Sequence, residues 1–313
     1  MSERVFYSDC LNHCYQRTAG RGVLFYDTLD HLVFFTVYCT MAVRYRVRVF
    51  KVVQMPDHIH HSLITKSLSS LSAFCRDVTA TYAKEYNRAH GRSGPLFESP
   101  FGSAAKRGDK AVRTNLLYLD NNPVERKLVR KAEEYRWNYM AFANSTHPFS
   151  ERILLRKASM PLRRALKRVV YLHEQKKYMR FSVLRRMFDT ISSHLEREQL
   201  IDFIISTYSV IEYKTVLRYF GSYEAECIAA HSSSGSEYDI NEVFIGRSDT
   251  CYAQFSQIIM DAGLLRNIHD IFGLSESEKR KIYSLLRQKT GAPHRQISAF
   301  LQLPVEIHNN VVV

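Results

Sequence analysis

The sequence predicts an α+β fold: an antiparallel sheet with helices over residues 1–150, followed by an all-helical second domain over 151–313. Three observations carry this. Two β-branched or alternating runs flank the turn Met55-Pro56-Asp57 and read as a strand pair. The segments on either side of that pair have helical spacing. Beyond residue 150 strand signals stop and the pattern turns almost wholly helical. At 313 residues the chain is long enough for two domains, each with its own core.

In chain order, "LNHCYQRT" alternates and reads as a first strand. "DTLDHLVFFTVYCTMAVRY" carries Leu29, Val33, Phe34 and Val37 at helical spacing. "RVRVFKVVQ" is a β-branched strand, and "HIHHSLI" returns from the turn as its partner. "SLSSLSAFCRDVTATYAKEYNRAHG" is a helix ending at Gly91, with Leu71, Phe74, Val78, Tyr82 and Tyr86 along one stripe. "PLFESPF" is a short extended piece, and "DKAVRTNLLYLDNN" a helix stopped by Pro123. This order places the helices on one side of the sheet. In the second domain, "SMPLRRALKRVVYLHEQ" has an apolar stripe of Leu162, Leu166, Val169 and Val170, with Arg163, Arg164, Lys167 and Arg168 outside it. "HSSSGSEYD" is a loop. Near 276–310, a helix with a Ser275–Glu278 capping box and a Gly291 stop precedes "APHRQISAFLQLP", the outline of a helix-turn-helix or of plain helix packing.

Charge is uneven. Residues 1–150 hold 21 Lys+Arg against 13 Asp+Glu, residues 151–186 hold 12 against 2, and residues 187–313 hold 11 against 16. A basic front and middle with an acidic rear favours a polyanionic partner, nucleic acid above a membrane surface, since no lipid-anchor pattern is visible. No apolar run is long enough to span a bilayer. The charged start "MSERVFYSDC" lacks a signal core, so a cytoplasmic protein is expected. The six cysteines form no C-x-x-C pair. Cys10, His13 and Cys14 in "CLNHC" lack a second ligand pair at zinc spacing, so they read as buried or idle thiols.

The stretch "MPDHIHHSLI" concentrates the chemistry. Alternate residues of a strand share a face, so His58 and His60 point the same way, with Cα atoms roughly 7 Å apart. Two imidazoles so placed suit one metal ion. Ile59, His61 and Leu63 take the opposite, core-facing side, where His61 is out of character. Sixty residues on, Tyr118 and Asn122 stand four apart on a helix and face together. The pair is a core aromatic with a C-cap, or a nucleophile with a third metal ligand.

The blocks "MPDHIH", "HGRSGPLFESPF" and "YLDNNPVERKLV", in this order around a long helix, resemble the HUH single-strand DNA transposases with one tyrosine, in particular the REP-associated tyrosine transposases. The resemblance covers residues 10–140 and implies a ferredoxin-like sheet of the HUH endonuclease type. It implies a divalent metal, Mg or Mn, on His58, His60 and Asn122, and Tyr118 as the nucleophile. It implies cleavage and rejoining of single-stranded, hairpin-associated DNA through a 5′-phosphotyrosine, with a 3′-hydroxyl leaving; no P-loop for ATP is present. It also leaves room for a homodimer. The sequence departs from the family at His61, where an aliphatic residue is usual, and in "LFESPFGS", which lacks the family's basic residues. The candidate DNA contacts are Arg92, Lys106, Arg107, Arg163, Arg164, Lys167 and Arg168, with Tyr135, Trp137 and Tyr139 as stacking platforms or a packed core edge. Two rival readings remain: a hairpin-binding protein that cuts nothing, and a metal-dependent phosphodiesterase that uses water.

Overall fold

The computed structural model of the chain describes residues 6–98, 100–232 and 248–303. The elements run β1 (Leu11–Arg17), α1 (Thr28–Tyr45), β2 (Arg48–Met55), β3 (His58–Ile64), α2 (Leu68–Ala89), β4 (Gly102–Lys106) and α3 (Gly108–Glu125). Helices follow as α4 (Met160–Glu174), α5 (Phe181–Thr190), α6 (His194–Tyr208), α7 (Tyr213–Leu217), α8 (Tyr223–Ser232), α9 (Cys251–Asp261), α10 (Glu276–Thr290) and α11 (His294–Leu301). Among the described residues the protein is thus α+β with one four-stranded sheet. The expected loop "HSSSGSEYD" lies outside the described residues after its first two positions, as does "VEIHNNVVV". No described helix is long and apolar enough to cross a membrane.

The strands lie in the order β2-β3-β1-β4, each neighbouring pair antiparallel. With the connection β-α-β-β-α-β this is a split β-α-β arrangement, in which β3 and β1 occupy the centre. The β2–β3 hairpin closes through Pro56 and Asp57, and the Pro56 carbonyl accepts from the backbone N–H of Leu24 (2.6 Å) and Phe25 (3.2 Å). Two expectations shift here. "PLFESPF" supplies only a bridge at Phe97, and the fourth strand begins beyond it at Gly102. Helix α3 also continues through Pro123 to Glu125. A proline in the last turn forfeits one hydrogen bond, to the Leu119 carbonyl, without ending the helix.

The sheet is covered on both faces, not one. Cys14, Val52, Ile59 and Leu63 face α1 and α2 and join one core with Leu32, Phe34, Val37, Phe74 and Val78. Val53 and Met55, on the opposite face of β2, pack with Tyr118 and Leu119 of α3. Double cover explains why β2 is buried over all but its first residue. The first core does not stop at residue 150: Leu162, Val169, Phe181, Leu184, Ile201 and Ile204 belong to it, because α5 and α6 pack on α1 and α4 packs on both. Helices α9 to α11 form a separate cluster around Phe255, Ile259, Leu286, Ile297 and Phe300, fastened to the sheet domain through Val23 and Tyr26. The Tyr26 hydroxyl donates to the Phe300 carbonyl (2.7 Å).

One buried ionic cluster fixes α3 on the sheet. Lys51 of β2 donates to Asp120 of α3 (2.5 Å) and to Glu226 of α8 (2.8 Å), and all three side chains are almost wholly buried. Two carboxylates share one ammonium, so burial pushes Asp120 up to about 7, against the pull of Lys51. Its folded value exceeds the ordinary 3.8, so the native state holds the extra proton and stability falls as pH rises between those values. The variant Asp120→Asn is expected to lose that part of the pH dependence. Urea midpoints across the window measure it, and an unchanged slope relative to wild type would show that Asp120 ionises freely.

Candidate active site

The site is built on the α3 face of the two central strands. Antiparallel register sets His58 opposite Arg17, His60 opposite Tyr15, and Ser62 opposite His13, all on one face. The His58 and His60 rings stand 4.8 Å apart and perpendicular. Tyr118 of α3 brings its ring to 5.6 Å from both His60 and His13. One turn further on, the Asn122 amide donates through Nδ2 to the Tyr118 hydroxyl (3.2 Å). The structure therefore brings His58, His60, Tyr118 and Asn122 into one cluster.

The hydrogen bonds orient the rings. Asp57 Oδ1 lies 2.5 Å from His58 Nδ1, which fixes the ring with Nε2 turned away from the carboxylate. Burial alone would raise Asp57, but His58 beside it, with Arg126 and Arg17 nearby, lowers it to about 2, so the carboxylate is charged. His60 Nδ1 lies 3.0 Å from His13 Nε2. Burial first, then the neighbouring His58, His13 and His61, holds His60 well below the ordinary histidine value. A neutral imidazole is the form that binds metal. Among the described residues, His58 Nε2 and Asn122 Oδ1 are buried and meet no hydrogen-bond partner. Leaving such atoms unsatisfied costs on the order of 1–3 kcal/mol each, which a bound group that meets them would recover.

The open side of the site is lined by Tyr15, which is 41% exposed. Opposite it on β4 stands Gly102, where a Cβ would fall 2.2 Å from the Tyr15 ring. A side chain at 102 would oblige the exposed Tyr15 ring to move aside. Sequence reasoning missed Tyr15, His13, Arg17 and Asp57. Asp57 was legible as the neighbour of His58; the three β1 residues needed the strand register.

Other candidates fall elsewhere. Arg92 bonds Asn87 Oδ1 (3.0 Å) and the Pro95 carbonyl (3.1 Å), shaping the loop after α2. Lys106 is half-buried at the end of β4, and Arg107 is exposed over the Tyr7 ring at 4.6 Å. Arg164, Lys167 and Arg168 are exposed on α4, while Arg163 bonds the carbonyls of Ala158 and Arg156. Because α4 stacks on α5 and α6, behind α1, this basic face lies on the other side of the sheet from His58 and His60. The aromatic trio is a packed edge: Tyr139 stacks on Phe35, Trp137 on His31, and the Tyr135 hydroxyl donates to the Gln54 carbonyl. Helix α11 buries Ile297, Phe300 and Leu301 and leaves His294 and Arg295 exposed. His13 and Cys14 of "CLNHC" point to opposite faces and share no site. His61 faces α1, where the Tyr38 hydroxyl lies 3.1 Å from its Nδ1 and burial holds it down to about 3.

The chain matches no known family model and no curated protein. A solved structure of a REP-associated tyrosine transposase bound to a REP hairpin is 18% identical, covering 49% of this chain and 99% of that one, with a TM-score of 0.40. A likeness that loose carries no argument about the site.

Manganese titrated into the protein is expected to bind once at this cluster, and His58→Ala or His60→Ala to abolish the calorimetric signal. Asp57→Asn, which touches only the back of His58, should weaken binding by about 10–100-fold. Equal affinity in all four proteins would place the metal elsewhere.

Proposed function

We propose that the protein cleaves and rejoins single-stranded, hairpin-associated DNA through a covalent link to Tyr118, with His58, His60 and Asn122 holding a divalent cation. One observation carries the reading. The buried acceptors His58 Nε2 and Asn122 Oδ1 lie in the same cluster as the Tyr118 hydroxyl, which Asn122 itself holds through Nδ2. The sheet order supports the ferredoxin-like expectation, and the sequence resemblance supplies the substrate class.

When bound, the cation polarises the scissile phosphate; two imidazoles and an amide oxygen suit manganese better than magnesium. The protein's own groups do the rest. Asn122 donates to the Tyr118 hydroxyl and sets the direction of its oxygen. That oxygen attacks phosphorus in line, the phosphorus–O3′ bond breaks, and the proton lost by tyrosine is matched by the one gained at the departing 3′-hydroxyl. A second 3′-hydroxyl reverses the step, so no nucleotide triphosphate is consumed. Arg17 places a positive charge opposite His58 on β1, while Lys106 stands at the other end of that strand, opposite Leu11, with Arg107 following it at the start of α3. The exposed Tyr15 ring offers a base a stacking surface at the entrance.

The burial of Tyr118, 3% exposed, favours a second reading in which it only packs and the protein binds hairpins without cutting. Tyr118→Phe separates the two. It keeps the ring, so folding and hairpin affinity should persist while the covalent adduct on a denaturing gel disappears. An adduct that survives in Tyr118→Phe means another nucleophile; no adduct or nick in wild type with manganese or magnesium leaves the binding protein.

The α4 face is proposed as a separate, salt-sensitive docking surface for the DNA flanks. Replacing Arg164, Lys167 and Arg168 with Gln should flatten log affinity against log salt by roughly 0.7 for each single-strand phosphate that is no longer neutralised. An unchanged slope would mean that α4 is only a solvated surface.

A further inference from the structure

We infer that Cys14, His61 and Cys75 form a second metal site, for zinc, on the reverse face of the strand that carries His58 and His60. The inference does not depend on the proposed activity. Cys14 of β1 and His61 of β3 are cross-strand partners, and Cys75 reaches them from α2. Their ligand atoms all lie within 4.8 Å of one another, and all three residues are buried. Neither cysteine is in a disulfide. His61 stands buried among core residues and takes no part in the proposed DNA chemistry.

Three features favour metal over chance packing. The first is orientation. The Tyr38 hydroxyl sits 3.1 Å from His61 Nδ1, which leaves Nε2 as the ligating nitrogen. A hydroxyl can donate to Nδ1 before an ion arrives and accept from Nδ1–H afterwards, so this bond survives loading. The second is ligand type: thiolates and imidazole select zinc over the hard cations that an amide oxygen attracts. The third is charge. Two thiolates, a neutral imidazole and Zn²⁺ sum to zero, the net charge that an apolar core tolerates. Loading forms two sulfur–zinc bonds and releases the two thiol protons, so affinity rises with pH. Three protein ligands leave a fourth position for water.

A second trio, Asp30, His90 and His269, is equally close but chemically closed to metal. Arg185 donates to His90 Nδ1 (3.2 Å), so the proton of a neutral His90 sits on Nε2, facing Asp30. His269 faces acceptors on both nitrogens, Asn267 Oδ1 and Asp30 Oδ2 at 2.9 Å each, and so carries two protons. That trio is an ion pair that fastens the C-terminal helices to α1.

Zinc would clamp α2 to the two central strands directly behind His60. The test uses the full chain, expressed with zinc and purified under reducing conditions, in a His58→Ala/His60→Ala background that removes the other site. The expected result is one zinc per chain, with X-ray absorption showing two sulfurs at about 2.3 Å and nitrogen at about 2.0–2.1 Å. The same sulfur signal should appear in wild type, which does not depend on any variant folding. Cys14→Ser and Cys75→Ser should each lose the metal. Folded, reduced wild type that takes up no zinc, zinc seen with nitrogen and oxygen neighbours alone, or a Cys14–Cys75 disulfide in peptide mapping would overturn the assignment.

Discussion

Strand β3 has to carry polar chemistry on one face while both of its faces are covered. A half-exposed strand could leave its histidines to water. Here α3 covers His58, His60 and Ser62, so each must be satisfied by protein. Asp57 takes His58 Nδ1, His13 takes His60 Nδ1, and Asn115 meets the Ser62 hydroxyl. Among the described residues, His58 Nε2 and Asn122 Oδ1 stay buried without a hydrogen-bond partner, as do polar atoms elsewhere in the protein. Buried polar atoms without partners are few in native proteins, and the proposed metal gives these two a use.

The same constraint explains how α3 is held. Tyr118 and Asn122 are useful only if the helix is fixed in rotation about its axis, and apolar packing alone is permissive of small rotations. The Lys51 cluster is directional: it ties Asp120, between those two residues in sequence, to β2 and to α8. Glu226 is a residue of the C-terminal half, so the helix bearing the proposed nucleophile is anchored by both halves of the chain. Removing one partner would strand a buried charge, which is why such clusters specify geometry even where they add little net stability.

What could be read from the sequence was what depends on local periodicity. The shared face of His58 and His60 follows from the period of two along a strand, and that of Tyr118 and Asn122 from the helical turn. The inward direction of His61 followed by the same rule. What could not be read depends on which strands are neighbours. His13, Tyr15 and Arg17 reach the site only because β1 lies beside β3. Gly102 has its meaning only opposite Tyr15. Cys14 and Cys75 look idle in the chain because their partner lies across the sheet. The helices were expected on one side because nothing in α3 announces that its apolar residues cover a polar face. The aromatic run at 135–139 looked equally suited to stacking bases and to packing, and tertiary contacts decided for packing. The basic segment of α4 was legible as charge but not as position, since only the stacking of α4 behind α5 and α6 sets it on the far side of the sheet.

The central claim is that the Tyr118 oxygen becomes bonded to DNA. Its most direct test is mass spectrometry of wild-type protein incubated with a single-stranded hairpin substrate and manganese, then digested with nuclease and trypsin. The account expects the peptide Thr114–Arg126 to carry a nucleotide phosphate on Tyr118. The same modification on any other tyrosine, or cleaved DNA with free 5′-phosphate ends and an unmodified Thr114–Arg126 peptide, would contradict it.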